Sequence, residues 1–125
     1  MIDRSAIEAA FSALHERMHQ PDWNDFVDSF AEDCTFLNSA MSEPARGRDA
    51  LRSIAAKWPP VTNVVEWMTI DGNRLAVGWN ERQSHMSPSA KPYRGISTYV
   101  FDSDLLVAEY EGVFDLKAMS RAVKS

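Results

Sequence analysis

Two histidines one helical turn apart flank a glutamate in the run His15-Glu16-Arg17-Met18-His19. On a helix this spacing lets both rings bind zinc while the glutamate activates a water, as in a zinc metallopeptidase. The neighbouring residues argue against that use. Ile7, Phe11, Leu14 and Met18 define the buried direction of the helix. At about 100° per residue, His15 falls at its edge, His19 further round, and Glu16 roughly opposite, toward solvent. A third protein ligand is also required, and the remaining histidine, His85, lies in an expected loop. The pair reads as two solvated histidines on a helix flank. The single cysteine, Cys34, permits no internal disulfide or Cys-rich metal site and is expected to be a small buried residue. Neither a metal nor a cofactor is expected.

The stretch from Phe30 to Leu51 says more. Phe30-Ala31-Glu32-Asp33-Cys34-Thr35-Phe36-Leu37-Asn38 is followed by a proline-bearing loop and by Gly47-Arg48-Asp49-Ala50-Leu51. A helix end, a short strand carrying an inward polar residue, and a loop re-entering a helix together describe one wall of a small-molecule pocket.

The elements around that wall follow from periodicity. Ser5 and Glu8 fit a capping box, and the apolar stripe predicts a first helix over residues 5–19. Asp22 can cap a second helix through Trp23, Phe26, Val27 and Phe30, before a short strand from Cys34 to Asn38. Gly47 opens a third helix with Leu51, Ile54, Ala55 and Trp58 on its apolar face; Pro59-Pro60 stops it, because proline lacks the backbone donor. From Val64 the period becomes two. Val64 to Ile70 and Leu75 to Gln83 form a hairpin about Asp71-Gly72-Asn73, and Tyr93 to Phe101 and Leu106 to Phe114 a second about Asp102-Ser103-Asp104. Asp115 caps a closing helix with Leu116, Met119 and Val123 on one side. This is an α+β layout: a cone-shaped, curved antiparallel sheet wrapped around three N-terminal helices, with a short C-terminal helix.

Length and composition agree. A chain of 125 residues with 45% hydrophobic content supports one domain, 1–125, with one core. A net charge of -5, with thirteen scattered basic residues, excludes nucleic acid as an expected partner. No apolar run suits a signal peptide or membrane span, so a cytoplasmic protein with no membrane partner is expected.

In the order and spacing of Phe30 to Asn38 with Gly47 to Ala50, then Asn80-Glu81-Arg82, then Gly112-Val113-Phe114-Asp115-Leu116, the chain resembles the nuclear transport factor two superfamily. The likeness is to its SnoaL-like polyketide cyclase and limonene epoxide hydrolase branches, with ketosteroid isomerases as cousins, and it spans nearly the whole chain. The epoxide hydrolases hold water with a Tyr, an Asn and an Asp, and join two carboxylates through an Arg. The resemblance puts the Asn on Asn38 and the Arg on Arg82, but the Tyr on Phe36 and the two Asp positions on Ser84 and Gly112. The isomerase base falls on Asn38, its oxyanion Tyr on Leu14 and its acid on Ser97. With the carboxylates missing, neither pattern retains its proton carriers, and the catalytic residues are left unassigned.

The resemblance turns Arg82 inward, and strand alternation then sends Asn80 and Ser84 inward and Trp79, Glu81 and Gln83 outward. Apolar patterning alone chooses the opposite face, because Leu75, Val77 and Trp79 share it. Following the resemblance, the expected pocket is lined by Leu14, Met18, Phe36, Asn38, Trp58, Val65, Trp67, Arg82, Ser84, Ser97, Tyr99, Tyr110 and Phe114, with Gly95, Phe101 and Gly112 on the same face. Gly95 and Gly112, taken as opposite one another, suggest open space, although the aromatics would also suit a solid core. Such a lining fits a small apolar or aromatic molecule with one or two oxygens, acted on by an isomerase, cyclase or lyase. An outer face carrying Val77, Trp79, Ile96 and Val100 implies a homodimer. The alternatives are a non-catalytic dimeric binding or assembly module and, behind it, the zinc peptidase.

Overall fold

The computed structural model describes residues 2–124. Helix α1 (Arg4–Arg17) begins at Asp3, whose carboxylate accepts the Ala6 amide at 2.8 Å. Ser5 is therefore not the cap: its hydroxyl donates to Asp3, and Glu8 pairs with Arg4 at 3.1 Å rather than closing a capping box. Helix α2 is short (Asn24–Val27), because Phe30 already belongs to strand β1 (Phe30–Asn38). The stub β2 (Ala45–Arg46) lies in the expected loop, before α3 (Arg48–Ala55). Gly47 takes φ 91°, a left-handed conformation open to glycine, and sends the chain from β2 into α3.

Strands β3 (Val61–Asp71), β4 (Arg74–Gln83), β5 (Tyr93–Phe101) and β6 (Val107–Phe114) follow, and α4 (Leu116–Lys124) closes the chain. Gly72, at φ 61°, makes the two-residue loop between β3 and β4. Asp115 caps α4 as expected, accepting the Lys117 and Ala118 amides. The six strands form one curved, unclosed sheet in the order β2-β1-β6-β5-β4-β3. The sheet is not wholly antiparallel: β1 runs parallel to β6, with Phe36 beside Tyr110 and Asn38 beside Gly112. This pairing joins the first third of the chain to the last strand, so the pocket wall between Phe30 and Leu51 continues into the meander.

The core lies between the concave sheet face and the helices. Ile7, Phe11 and Leu14 of α1, Leu51 of α3, Phe30 and Cys34 of β1, and Leu75, Tyr99, Phe101 and Val107 of the sheet are all buried. Burying side chains of this size contributes about 1.5–3 kcal/mol each, which fixes the helices against the sheet.

The inward face of β4 is set by Leu75, Val77 and Trp79, all buried, and carries on to Glu81 and Gln83. The expectation that Arg82 and Ser84 point inward and Trp79, Glu81 and Gln83 outward is therefore wrong. Hydrophobic burial overrules the parity carried over by resemblance. Trp67 is misplaced for a different reason. A bulge between Val65 and Trp67 inserts Glu66 as an extra residue, so Val65 opposes Trp79 on the inside while Trp67 lies outside over Gly78.

The glycines on the inward face hold packed rings rather than open space. A Cβ on Gly95 would come within 2.3 Å of Trp79, and one on Gly112 within 2.5 Å of the Tyr110 hydroxyl. Nor are the two opposite one another, since Gly95 pairs with Phe114 and Gly112 with Ser97.

Candidate functional site

A cavity of about 240 Å³ opens between the concave sheet and the helices. Among the expected residues, Met18, Phe36, Asn38, Trp58, Ser97, Tyr99, Tyr110 and Phe114 line it. Leu14 does not, being only 1% exposed within the core, and Val65 packs half-buried beside it. Trp67 is 46% exposed on the outer face. Ser84 is exposed in the loop after β4, where its amide donates to Pro60. Arg82 also lies outside the cavity, with its guanidinium donating to the carbonyls of Ala90 and Ser87. It holds the loop between β4 and β5 instead of a ligand.

The residues that sequence reasoning missed are polar. Asn63 on β3 and Glu81 on β4 face each other across the register and both line the cavity. The Asn63 side-chain amide donates to Glu81 Oε1 at 3.0 Å, and the Tyr93 hydroxyl donates to Glu81 Oε2 at 2.5 Å. Gln83 in turn donates to the Tyr93 oxygen at 3.2 Å. Because the Asn63 amide is spent on Glu81, its Oδ1 must accept from His15, which therefore carries its proton on Nε2 at 3.0 Å. The Asn63 backbone N–H donates to His19 Nε2 at 3.0 Å, which leaves that nitrogen unprotonated. The two histidines are thus not merely solvated: Asn63 binds both and ties α1 to the sheet. Glu16 is exposed, and among the described residues no three His, Cys, Asp or Glu side chains gather as metal ligands.

Burial raises the Glu81 carboxyl above the ordinary glutamate range, against the opposing pull of the Tyr93 and Asn63 hydrogen bonds and of nearby His19. Burial likewise lowers His15 below the usual imidazole range, outweighing its Asn63 bond. Three phenols stand near this carboxyl. Tyr93 is pushed above its ordinary value by burial and by Glu81. Tyr110 is pushed up to about 12, chiefly by burial, with the Ser97 bond acting in the opposite sense. Tyr99 is raised well above the phenol range by burial, then by Tyr110 and Glu81. All three remain hydrogen-bond donors at any physiological pH.

A second chain of hydrogen bonds crosses the cavity floor. Trp79 Nε1 donates to Ser97 Oγ at 2.8 Å, and Ser97 Oγ lies 2.8 Å from the Tyr110 hydroxyl. Three hydrogens share two contacts, so one hydroxyl hydrogen of the Ser97 and Tyr110 pair is left over for something else. The Tyr99 hydroxyl has no hydrogen-bond partner among the described residues. The cavity therefore combines a desolvated carboxyl with two spare hydroxyl donors, inside walls that include the stacked rings of Phe36 and Tyr110, 4.3 Å apart. A proton can be held at Glu81, and a ligand oxygen can be held by the hydroxyls.

The raised carboxyl makes stability depend on pH in a definite sense. The folded state binds the Glu81 proton more tightly than the unfolded chain, so this group favours folding below the ordinary glutamate value. That contribution is lost as pH rises from the ordinary value to the raised one, and is constant above it. Glu81→Gln removes the effect. The variant's melting temperature should therefore gain on wild type as pH rises from about 4 toward neutrality, as followed by circular dichroism. A constant difference over that range would mean that Glu81 is not desolvated.

The profile of the SnoaL-like domain matches residues 8–110. An epoxide hydrolase of the limonene epoxide hydrolase-like kind from M. tuberculosis superposes with a TM-score of 0.77 at 11% identity, covering 96% of this chain and 90% of that one. The epoxide hydrolase/cyclase-like enzyme SalBIII, described in pyran ring formation in the polyether salinomycin, superposes at 0.76 with 14% identity over 94% and 97% of the two chains. An NTF2-like protein of unknown function from Cytophaga hutchinsonii gives 0.74 at 12% identity over 91% and 94%. No curated protein matches the sequence significantly. Identities this low speak for the fold alone, and the domain profile names the family: the chain belongs to the SnoaL-like domain family.

Proposed function

We propose that the chain binds a small, largely apolar or aromatic molecule with one or two oxygens in this cavity, and exchanges a proton with it through Glu81, as isomerases, cyclases and lyases do. The observation that carries this is the Glu81 carboxyl, half-buried in an aromatic cavity and bonded there by Tyr93 and Asn63. It would supply the carboxyl that the family pattern places at Ser84 and Gly112 and that this chain lacks there. Tyr99 and the Ser97 and Tyr110 pair would hold the ligand oxygen and stabilise charge developing on it. The names of the M. tuberculosis hydrolase and of SalBIII fit the same acid-base chemistry. A cytoplasmic setting, testable by cell fractionation, belongs to this reading.

The tryptophans provide the test. Trp23, Trp58 and Trp79 line the cavity, whereas Trp67 lies on the outer face. Titration with phenylethanol, followed by proton–nitrogen correlation spectra, should move the indole signals of the first three and leave Trp67 in place. No shift at the cavity indoles, or a shift of Trp67 alone, would sink the binding reading.

A second, compatible reading is a dimeric binding or assembly module, and it rests on the outer face. The expected outer residues Val77 and Trp79 are buried inside. In their place Trp67, Ile96 and Val113, each at least 46% exposed, form one line across the strands over Gly78. We propose that this line is the homodimer contact. Light scattering at micromolar concentration should give a dimer for wild type and a monomer for Trp67→Glu; a wild-type monomer rejects the contact.

A further inference from the structure

We propose that the molecule bound in this cavity is an organic cation, a compact aromatic or aliphatic amine whose ammonium group pairs with the Glu81 carboxylate. The inference rests on reading the cavity as a ligand site and adds the charge of the ligand. Its first support is what the wall omits: among the described residues no lysine or arginine lines the cavity, and Arg82, expected there, is turned away to the loop. An anionic ligand would find no counter-charge and would lie against Glu81.

Among the described residues the carboxylate makes no ion pair. Both its oxygens accept from neutral donors, Asn63 and Tyr93, and the ion pairs Arg4–Glu8, Arg52–Asp28 and Arg94–Glu66 lie elsewhere. Of the nearby histidines, His15 bonds to the Asn63 side chain and His19 accepts from the Asn63 amide, so neither ring hydrogen-bonds to the carboxylate. A half-buried carboxylate with no ion pair is costly, and either a proton or a bound cation relieves it. Each oxygen retains lone-pair capacity for a further donor.

The remaining walls suit the same ligand. Ten of the lining residues are Phe, Tyr or Trp, and ring faces attract a desolvated cation. A neutral amine that enters while Glu81 is protonated takes that proton onto nitrogen, and the resulting ammonium–carboxylate pair has no net charge. The unpartnered Tyr99 hydroxyl then serves an oxygen on the same ligand.

Calorimetric titration with phenylethylamine, phenylethanol and phenylacetate at neutral pH decides the matter, because the three share a ring and differ in charge. The amine should bind wild type at least about tenfold more tightly than the alcohol, with phenylacetate the weakest. In Glu81→Gln, checked for folding by circular dichroism, the ratio of amine to alcohol affinity should fall by about tenfold, leaving only what the ring faces contribute. The wild-type comparison is decisive by itself: an alcohol that binds as tightly as the amine, or a preference for phenylacetate, overturns the cation and leaves the pocket standing. A preference for the amine that is undiminished in Glu81→Gln overturns the pairing with that residue. Failure of all three probes to bind removes the ligand site and the cation together.

Discussion

Glu81→Gln is expected to lower kcat/KM for the ring opening of nitrobenzisoxazole by about 100-fold or more. This compact aromatic reports proton abstraction without any knowledge of the natural substrate. A base takes the ring C–H proton, the electron pair forms the nitrile, the N–O bond breaks, and the product is a coloured phenolate. A carboxylate in water is a poor base for that step, whereas one stripped of water among rings is a stronger one. Glu81 is such a group, held in place by Asn63 and Tyr93 and raised by burial. Glutamine keeps the shape and can still accept from either neighbour, but it takes no proton at neutral pH. The size of the drop therefore reports the proton and not the packing. Equal rates in the two proteins would place the base elsewhere.

Phe30→Ala carries the largest expected cost in stability, about 3–5 kcal/mol. Phe30 is fully buried, with rings at 5.2 Å (Phe26), 6.0 Å (Phe36) and 6.4 Å (Tyr110). It sits at the start of β1, where the strand joins β6, and its carbonyl accepts from Arg48 at the head of α3. Removing the ring leaves a void at the meeting point of three elements that the backbone cannot close without breaking their pairing. Urea denaturation should show the loss as a lower midpoint with an unchanged slope. A cost below about 1 kcal/mol would mean that β1 and β6 are held by something other than this aromatic cluster.

Most elements could be read from periodicity, because apolar spacing encodes which face is buried. The parallel pairing of β1 with β6 could not, since it joins residues more than seventy positions apart, such as Phe36 and Tyr110, with no local signal. The site was harder to read. Leu75, Val77 and Trp79 already indicated the inward face of β4, and following them two and four residues further reaches Glu81 and Gln83. The resemblance pointed at Arg82 instead, and so moved the Glu81 carboxyl of the cavity wall to the outside. Trp67 was lost to a bulge, which strict alternation cannot foresee. Asn63 had no signal of its own; its role comes from Glu81, His15 and His19, which the fold gathers from β4 and from the end of α1.

The most direct test of Glu81 as the proton carrier of the cavity is the pH dependence of nitrobenzisoxazole opening by the wild-type protein. The rate should climb with pH as the carboxyl ionises, with a midpoint above the ordinary glutamate value, and this rising limb should vanish in Glu81→Gln. A midpoint at the ordinary value, or a limb that persists in the variant, would contradict the assignment.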